Sequence, residues 1–217
     1  MLAFAILATG AGWLLLASPW LRVRTVTVTG VDEPYKSEVQ RAADSRMSDP
    51  LVKVDTAGLR DEIAAMRAVS RVDIARRWPD ALVVSVTLRT PIAATANPQG
   101  TFELVDAEGR RYASVDKVPD GIPTVTLARA DDPAEVASAV AVLTALDAGQ
   151  RDSATDVYVA SPEDVRFRLD DVLILWGGPS DGKVKAAVVA ALVHREGVGT
   201  VNVSAPDAPV VTMRKAG

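Results

Sequence analysis

The first twenty residues carry no charged side chain, and this segment constrains the fold more than any other feature of the chain. As an α-helix, MLAFAILATGAGWLLLASPW would be about 30 Å long, which is the thickness of a bilayer's hydrocarbon core. Trp20 ends the run at the position of an interfacial anchor. A cleaved signal peptide is the alternative, but Ala17-Ser18-Pro19 is a poor cleavage site and no basic region precedes the apolar run. The sequence therefore predicts a transmembrane anchor over residues 1–21.

The composition of the 217 residues argues against several classes of function. The net charge of -4 is the wrong sign for a protein that must neutralise nucleic-acid phosphates. No cysteine is present, which excludes disulfides and thiolate metal sites. The single histidine, His194, leaves almost no material for a metal site or for histidine-based catalysis.

The segment after the anchor alternates between strand and helix patterns. Apolar residues at every second position predict strands, and apolar residues three and four apart predict helices. The predicted elements are a strand over residues 23–29, a helix over 35–46, a helix that begins after its N-cap residue Asp55, a strand that contains Val72 and Ile74, and a strand over 82–88. The order β-α-α-β-β predicts a compact α+β unit whose helices cover one face of a small sheet.

Two connections in this unit carry further predictions. Residues 51–54 are predicted to be a short extended link. Arg77-Trp78-Pro79-Asp80 is predicted to be the turn between the last two strands, because proline fixes φ at a bend and aspartate can satisfy local backbone donors. In this interpretation Trp78 covers an end of the core. The alternative is an exposed recruitment surface.

Residues 92–217 are predicted to form a mainly antiparallel β domain with two helices. The first helix begins at Asp132, with Pro133 and Glu135 completing a capping-box pattern. The second helix spans 181–194, with Val184, Val188 and Leu192 on one face. The predicted strands are a hairpin over residues 102–112 and segments at 125–127, 157–159, 165–169, 172–176, 201–203 and 210–213.

Gly177 to Lys183 has the spacing of a phosphate-binding loop, G-x-x-x-x-G-K. Val184 follows where such loops need Ser or Thr to hold Mg²⁺, and the preceding strands are predicted to be antiparallel. We therefore predict a glycine turn with an exposed Lys183 and no bound nucleotide. Because no nucleophile–base pair or metal cluster is found either, an anchored enzyme lacks catalytic material. The last predicted strand, 210–213, could be an edge strand that a partner strand completes.

Several motifs occur together in one known family. They are Val26-Thr27-Val28-Thr29-Gly30, Leu51-Val52-Lys53-Val54-Asp55, Val69-Ser70-Arg71-Val72 through Arg77-Trp78-Pro79, Val86-Thr87-Leu88-Arg89-Thr90-Pro91-Ile92-Ala93, Leu104-Val105-Asp106-Ala107-Glu108-Gly109, Gly121-Ile122-Pro123, Trp176-Gly177, Lys183 and Val201-Asn202-Val203-Ser204-Ala205-Pro206. The chain resembles the bacterial cell-division family FtsQ, called DivIB in other bacteria, and most closely its actinobacterial members. The resemblance implies a polypeptide-transport-associated (POTRA) domain over residues 22–91.

The resemblance also implies a function without catalysis or cofactors. Members are single-pass type II proteins of the cytoplasmic membrane, with most of the chain outside it, and act as divisome scaffolds at the septum. Their β domain binds the small coiled-coil proteins FtsB (DivIC elsewhere) and FtsL, and its last strand receives a partner strand. The corresponding residues here are Val210, Val211, Thr212 and Met213, with Val201, Val203 and Ala205 in the neighbouring strand. The alternative is a POTRA-containing component of protein secretion or outer-membrane assembly.

Overall fold

The computed structural model describes residues 19–97, 100–130 and 132–214. The chain divides into two compact units between Arg89 and Thr90. The predicted transmembrane segment, residues 1–21, lies almost entirely outside the described residues. Among the helices that the described residues form, none combines the length and the apolar character that a bilayer crossing requires.

Unit 1 has the predicted element order, β-α-α-β-β. Its elements are β1 (Thr25–Thr29), α1 (Tyr35–Asp44), α2 (Thr56–Ala64), β2 (Val69–Arg77) and β3 (Ala81–Leu88), with short 3-10 turns at Pro19–Leu21 and Leu51–Lys53. The three strands form one sheet in the order β1-β3-β2. β1 runs parallel to β3, and β2 runs antiparallel to it.

The core of unit 1 lies between the two helices and one face of this sheet. Strand side chains alternate between the two faces of a sheet. Val84 and Val86 of β3 point to the helices, as do the neighbouring valines of β1 and β2. The helical side of this core is formed by Val39, Ala43, Leu59 and Ile63, all fully buried. Asp55 begins α2 as predicted, since its Oδ1 accepts a hydrogen bond from the Gly58 N–H at 2.9 Å.

Two predictions for unit 1 are wrong. Residues Leu51–Lys53 form a 3-10 turn and not an extended link, because the Lys53 N–H bonds back to the Pro50 carbonyl at 2.8 Å. Trp78 does not cover the core, since 55% of its surface is exposed. The 3-10 turn explains both results: it places Leu51 and its neighbours over this end of the core, so the tryptophan is left outside.

Unit 2 is built on a nine-stranded sheet with the order β12-β11-β10-β9-β8-β7-β4-β5-β6. Its strands are β4 (Ala93–Ala96), β5 (Phe102–Val105), β6 (Arg111–Val115), β7 (Thr124–Leu127), β8 (Ala154–Ser161), β9 (Asp164–Leu169), β10 (Val172–Gly177), β11 (Val198–Asn202) and β12 (Val210–Met213). The pairs β4–β7, β7–β8 and β10–β11 are parallel, and the other five are antiparallel.

Three helices accompany this sheet: α3 (Pro133–Ala145), α4 (Ala148–Asp152) and α5 (Gly182–Leu192). The short α4 is not among the predicted helices, although Asp147 and Gln150 begin it with a complete capping box. α3 packs on β8 and β9, and α5 packs on β11. The fully buried rings of Phe167 and Trp176 lie 5.8 Å apart in the core between helices and sheet.

The start of α3 differs from its prediction in one contact. Asp132 accepts from the Ala134 N–H at 2.8 Å, as an N-cap should. Glu135 does not complete a capping box with it. Its carboxylate is fully buried and accepts from the backbone N–H of Arg129 at 3.0 Å and from the Arg129 Nε at 2.9 Å. The side-chain hydrogen bond to Glu135 raises the pKa of Arg129, and the negative charges of Asp132 and Glu135 raise it further.

The buried face of α5 differs from its prediction at one position. Lys185, Val189 and Leu192 are buried, whereas Val184 is 51% exposed. Both sets of residues follow helical spacing, and α5 carries valines on more than one face. The prediction is confirmed at Leu192, which is buried, and at Val188, which packs partly against the core. It is wrong at Val184, where the next residue, Lys185, is buried in its place.

Candidate partner-binding edge strand

The last strand of the chain lies at one edge of the nine-stranded sheet. β12 pairs only with β11, through the registers Asn202↔Val210, Val201↔Val211 and Thr200↔Thr212. Its other side has no neighbouring strand among the described residues. A strand in this position offers hydrogen-bonding groups to an added strand.

The main chain of β12 presents alternate residues away from the sheet. Arg214, directly after the strand, donates its N–H to the Gly197 carbonyl at 2.7 Å, so this amide faces β11. The register irregularity of the pair lies in β11, and β12 is continuous. Because the direction of the amides alternates along an antiparallel strand, the N–H and C=O groups of Val211 and Met213 face outwards.

The side chains of β12 are mostly exposed and apolar. Val210 and Met213 each expose 59% of their surface, and Val211 packs partly against the core of unit 2. Val210 continues a row across the sheet face opposite the core, beside Asn202 of β11 and Leu175 of β10, both half-buried. An added strand would therefore meet apolar side chains next to the free main-chain groups.

The remaining residues of the predicted site occupy different positions. Val201 and Val203 are fully buried, so their side chains support β12 from the core and are not surface groups. Ala205 is exposed in the turn between β11 and β12, where its carbonyl accepts from the Ala208 N–H at 3.1 Å. The structure thus brings Val210–Met213 together as one edge and places the other three residues behind or beside it.

The loop with phosphate-binding spacing is contacted from inside the unit by a buried lysine, Lys185. Lys183 is exposed in the first turn of α5, as predicted, but Lys185 is only 2% exposed and was missed. Its Nζ donates to the carbonyl of Gly178 at 2.9 Å and lies 5.9 Å from the centre of the Trp176 ring. Burial lowers the pKa of Lys185. Such a lysine fixes the loop from inside and does not reach an outside phosphate.

The other polar groups that could form a site are few in the part of the chain that the structure describes. No set of three His, Asp or Glu side chains among the described residues could hold a metal ion. His194 is exposed just after α5 and lines a depression of about 310 Å³ with Asp147, Gln150 and Asp170. Asp147 Oδ1 accepts a hydrogen bond from the Gln150 N–H and so caps α4. The role of Asp147 beside this depression is therefore structural.

Comparison with known proteins adds relatives in one family. Residues 21–89 match the POTRA domain, FtsQ-type. The cell division protein FtsQ of Streptomyces griseus is 37% identical over 206 residues, which cover 90% of this chain and 99% of that protein. FtsQ of Streptomyces bingchenggensis is 34% identical over 221 residues, covering 97% and 83%.

A solved structure is also similar, at lower identity. The extracytoplasmic domain of the trans isomer of the cell division protein DivIB from Geobacillus stearothermophilus is 19% identical, with a TM-score of 0.37. The match covers 50% of this chain and 98% of that domain. The two Streptomyces relatives, matched over 99% and 83% of their length, confirm the resemblance seen in the motifs. The chain belongs to the FtsQ family of bacterial cell division proteins.

Proposed function

We propose that this protein is a membrane-anchored, non-enzymatic scaffold of the divisome that binds FtsB/DivIC-type and FtsL-type coiled-coil proteins at the septum. In this proposal residues 1–21 are the anchor, 22–91 the POTRA domain and 92–217 the partner-binding β domain. Most of the chain lies outside the cytoplasmic membrane. Membership of a cell-division family supports the scaffold role.

A single observation carries the binding mode. β12 is an edge strand whose outward main-chain groups, at Val211 and Met213, stand beside exposed apolar side chains. In strand addition, main-chain hydrogen bonds supply affinity and alternate side chains supply specificity. The proposed interface is therefore a partner strand added along Val210–Met213, with the half-buried sheet face around Leu175 beside it.

Val211→Pro tests this mode, because proline removes an outward N–H that the fold of unit 2 does not use. Binding of the full-length chain to an FtsB/DivIC-type partner should weaken about tenfold or more. Val211→Ala is the matched control, since it keeps the N–H and shortens the same side chain, and it should bind within about threefold of wild type. Circular dichroism verifies that both variants are folded. Undiminished binding by a folded Val211→Pro variant would exclude strand addition at this edge.

The alternative function, a POTRA-containing component of protein secretion or outer-membrane assembly, is not favoured, since the matched relatives are cell division proteins. A fluorescent fusion distinguishes the two. A scaffold of the divisome concentrates at the septum, whereas a secretion component has no reason to leave the rest of the cell envelope.

A further inference from the structure

One end of unit 1 collects three segments of the chain: residues 19–24, 47–54 and 76–80. The Val23 N–H bonds to the Asp49 carbonyl at 2.9 Å, and the Arg24 N–H bonds to the Asp80 carbonyl at 2.8 Å. Arg76 joins the third segment to the second, because its Nε donates to the Leu51 carbonyl at 2.9 Å. We call this surface the Arg-Trp end.

The exposed apolar side chains of unit 1 are concentrated at this end. Four large apolar residues of the described part of unit 1 are exposed, and all four lie in the three segments: Trp20 (76%), Trp78 (55%), Val52 (46%) and Met47 (40%). Two of the four are tryptophans on separate segments. Single exposed apolar residues need no explanation, but a set confined to one end of a small domain indicates a contact surface.

The charges of the Arg-Trp end are opposite in sign to those of the whole chain. Its three segments contain five exposed cations and two carboxylates, a balance of +3, whereas the chain has a net charge of -4. The cations are Arg22, Arg24, Lys53, Arg76 and Arg77. Tryptophan beside arginine and lysine is the composition of protein surfaces that lie at the headgroup level of membranes.

The position of this end along the chain identifies its occupant. The charge-free run of residues 1–20 overlaps the first segment of the Arg-Trp end at residues 19 and 20. If that run crosses a bilayer, Trp20 emerges at the headgroups. The hydrogen bonds among the three segments hold Trp78 and Val52 at the same end of the domain. Lipid phosphates are complementary to the five cations.

We propose that the Arg-Trp end lies on an anionic phospholipid surface, with Trp20 and Trp78 among the headgroups and the cations on lipid phosphates. The proposal rests on the membrane anchor of the proposed function. It adds that the POTRA unit is seated on the bilayer by its own side chains, and that the turn Arg77–Asp80 is part of the contact.

The absence of cysteine makes the test direct, because one introduced cysteine gives one labelled site. Val52→Cys in the Arg-Trp end and Ser70→Cys, exposed at the opposite end of unit 1, are each labelled with an environment-sensitive fluorophore. The full-length chain is reconstituted in vesicles of equal parts phosphatidylglycerol and phosphatidylcholine that contain a headgroup quencher. Quenching at position 52 should be at least about twofold that at position 70.

Variants of the turn and a change of lipid then separate the contributions of the protein side chains and of the lipid charge to the quenching. Trp78→Ser combined with Arg77→Ser should lower quenching at position 52 by about half, and Tyr158→Ser, an exposed aromatic residue of unit 2, should leave it unchanged. Pure phosphatidylcholine vesicles should reduce the quenching of the wild type. Equal quenching in both lipids would overturn the anionic contact.

Vesicle flotation reports the anchor independently. If the chain floats with the vesicles but positions 52 and 70 are quenched equally, the Arg-Trp end faces water, where a protein could bind it, and the lipid proposal is overturned while the anchor stands. If the chain does not float, both the anchor and the lipid contact are overturned.

Discussion

The two outer strands of the nine-stranded sheet differ in what they expose. On β6, Tyr112 is buried and Arg111 is occupied by an ion pair with Glu103 at 3.5 Å and by a hydrogen bond to the Ala130 carbonyl. On β12, two apolar side chains are each 59% exposed, and none of its four residues is charged. We call β6, whose first two side chains are paired or buried, the closed edge, and β12, whose side chains are mostly exposed and apolar, the open edge.

This difference teaches which edge to test for a partner. Natural edge strands avoid unwanted pairing by charges, cover or short length. β6 begins with a charged residue, Arg111, whereas the four residues of β12 carry no charge. An apolar, uncharged edge strand at one end of a sheet, with a charged one at the other end, is the arrangement expected when a partner strand completes the apolar side.

The largest effect is expected from removing the apolar side chains of the open edge. Val210→Ser and Met213→Ser should each lower the affinity for the proposed coiled-coil partner by about 1 kcal/mol, so the double variant should bind about 30-fold more weakly. Val184→Ser is the matched control, because Val184 is a similarly exposed valine of the same unit, and it should not change binding. Titration calorimetry with the full-length chain measures both. Equal losses in the control and the double variant would show that the edge has no special role.

A smaller effect is expected at the lysine that fixes the loop after β10, two strands from the open edge. Lys185→Met should change the free energy of unfolding by less than about 1 kcal/mol near neutral pH. The variant loses one hydrogen bond, but it no longer has to remove a charged group from water on folding. The pKa of Lys185 is lower in the folded chain, so the unfolded chain holds this proton over a wider pH range. Wild-type stability should therefore rise relative to Lys185→Met as pH rises towards the ordinary lysine range. Denaturant unfolding across alkaline pH measures this difference, and a pH-independent difference would contradict the assignment.

The smallest effect is expected at the closed edge. Arg111→Ser removes a partly exposed ion pair and should lower the free energy of unfolding by about 0.5 kcal/mol. Partner affinity should stay at the wild-type value. A loss of affinity in this variant would place the partner on β6 and reverse the comparison of the two edges.

Much of the fold could be predicted because its signals are local. Alternating valines defined β1 and β3, Asp55 and Asp132 marked two helix starts, and the final strand followed from four residues. The errors came where tertiary contacts decide. The Leu51–Lys53 turn, not Trp78, closes the core, and α5 buries Lys185 in place of the valine next to it.

The candidate site divides in the same way. Period two identifies Val210–Met213 as a strand, but only the sheet order places it at an edge, and only the Arg214 hydrogen bond shows which amides face outwards. The same alternation does not tell whether Val201 and Val203 face the core or the solvent, and the structure shows that both are buried. Sequence predicts which residues share a strand, whereas pairing determines what that strand offers to a partner.

The position of β12 also separates the folding of unit 2 from what its edge exposes. No residue of β12 is among the buried core residues, and every other strand of unit 2 precedes it in the chain. Val211 packs only partly against that core. Shortening the chain before Val210 would therefore keep all the buried core side chains of unit 2 and remove only the open edge.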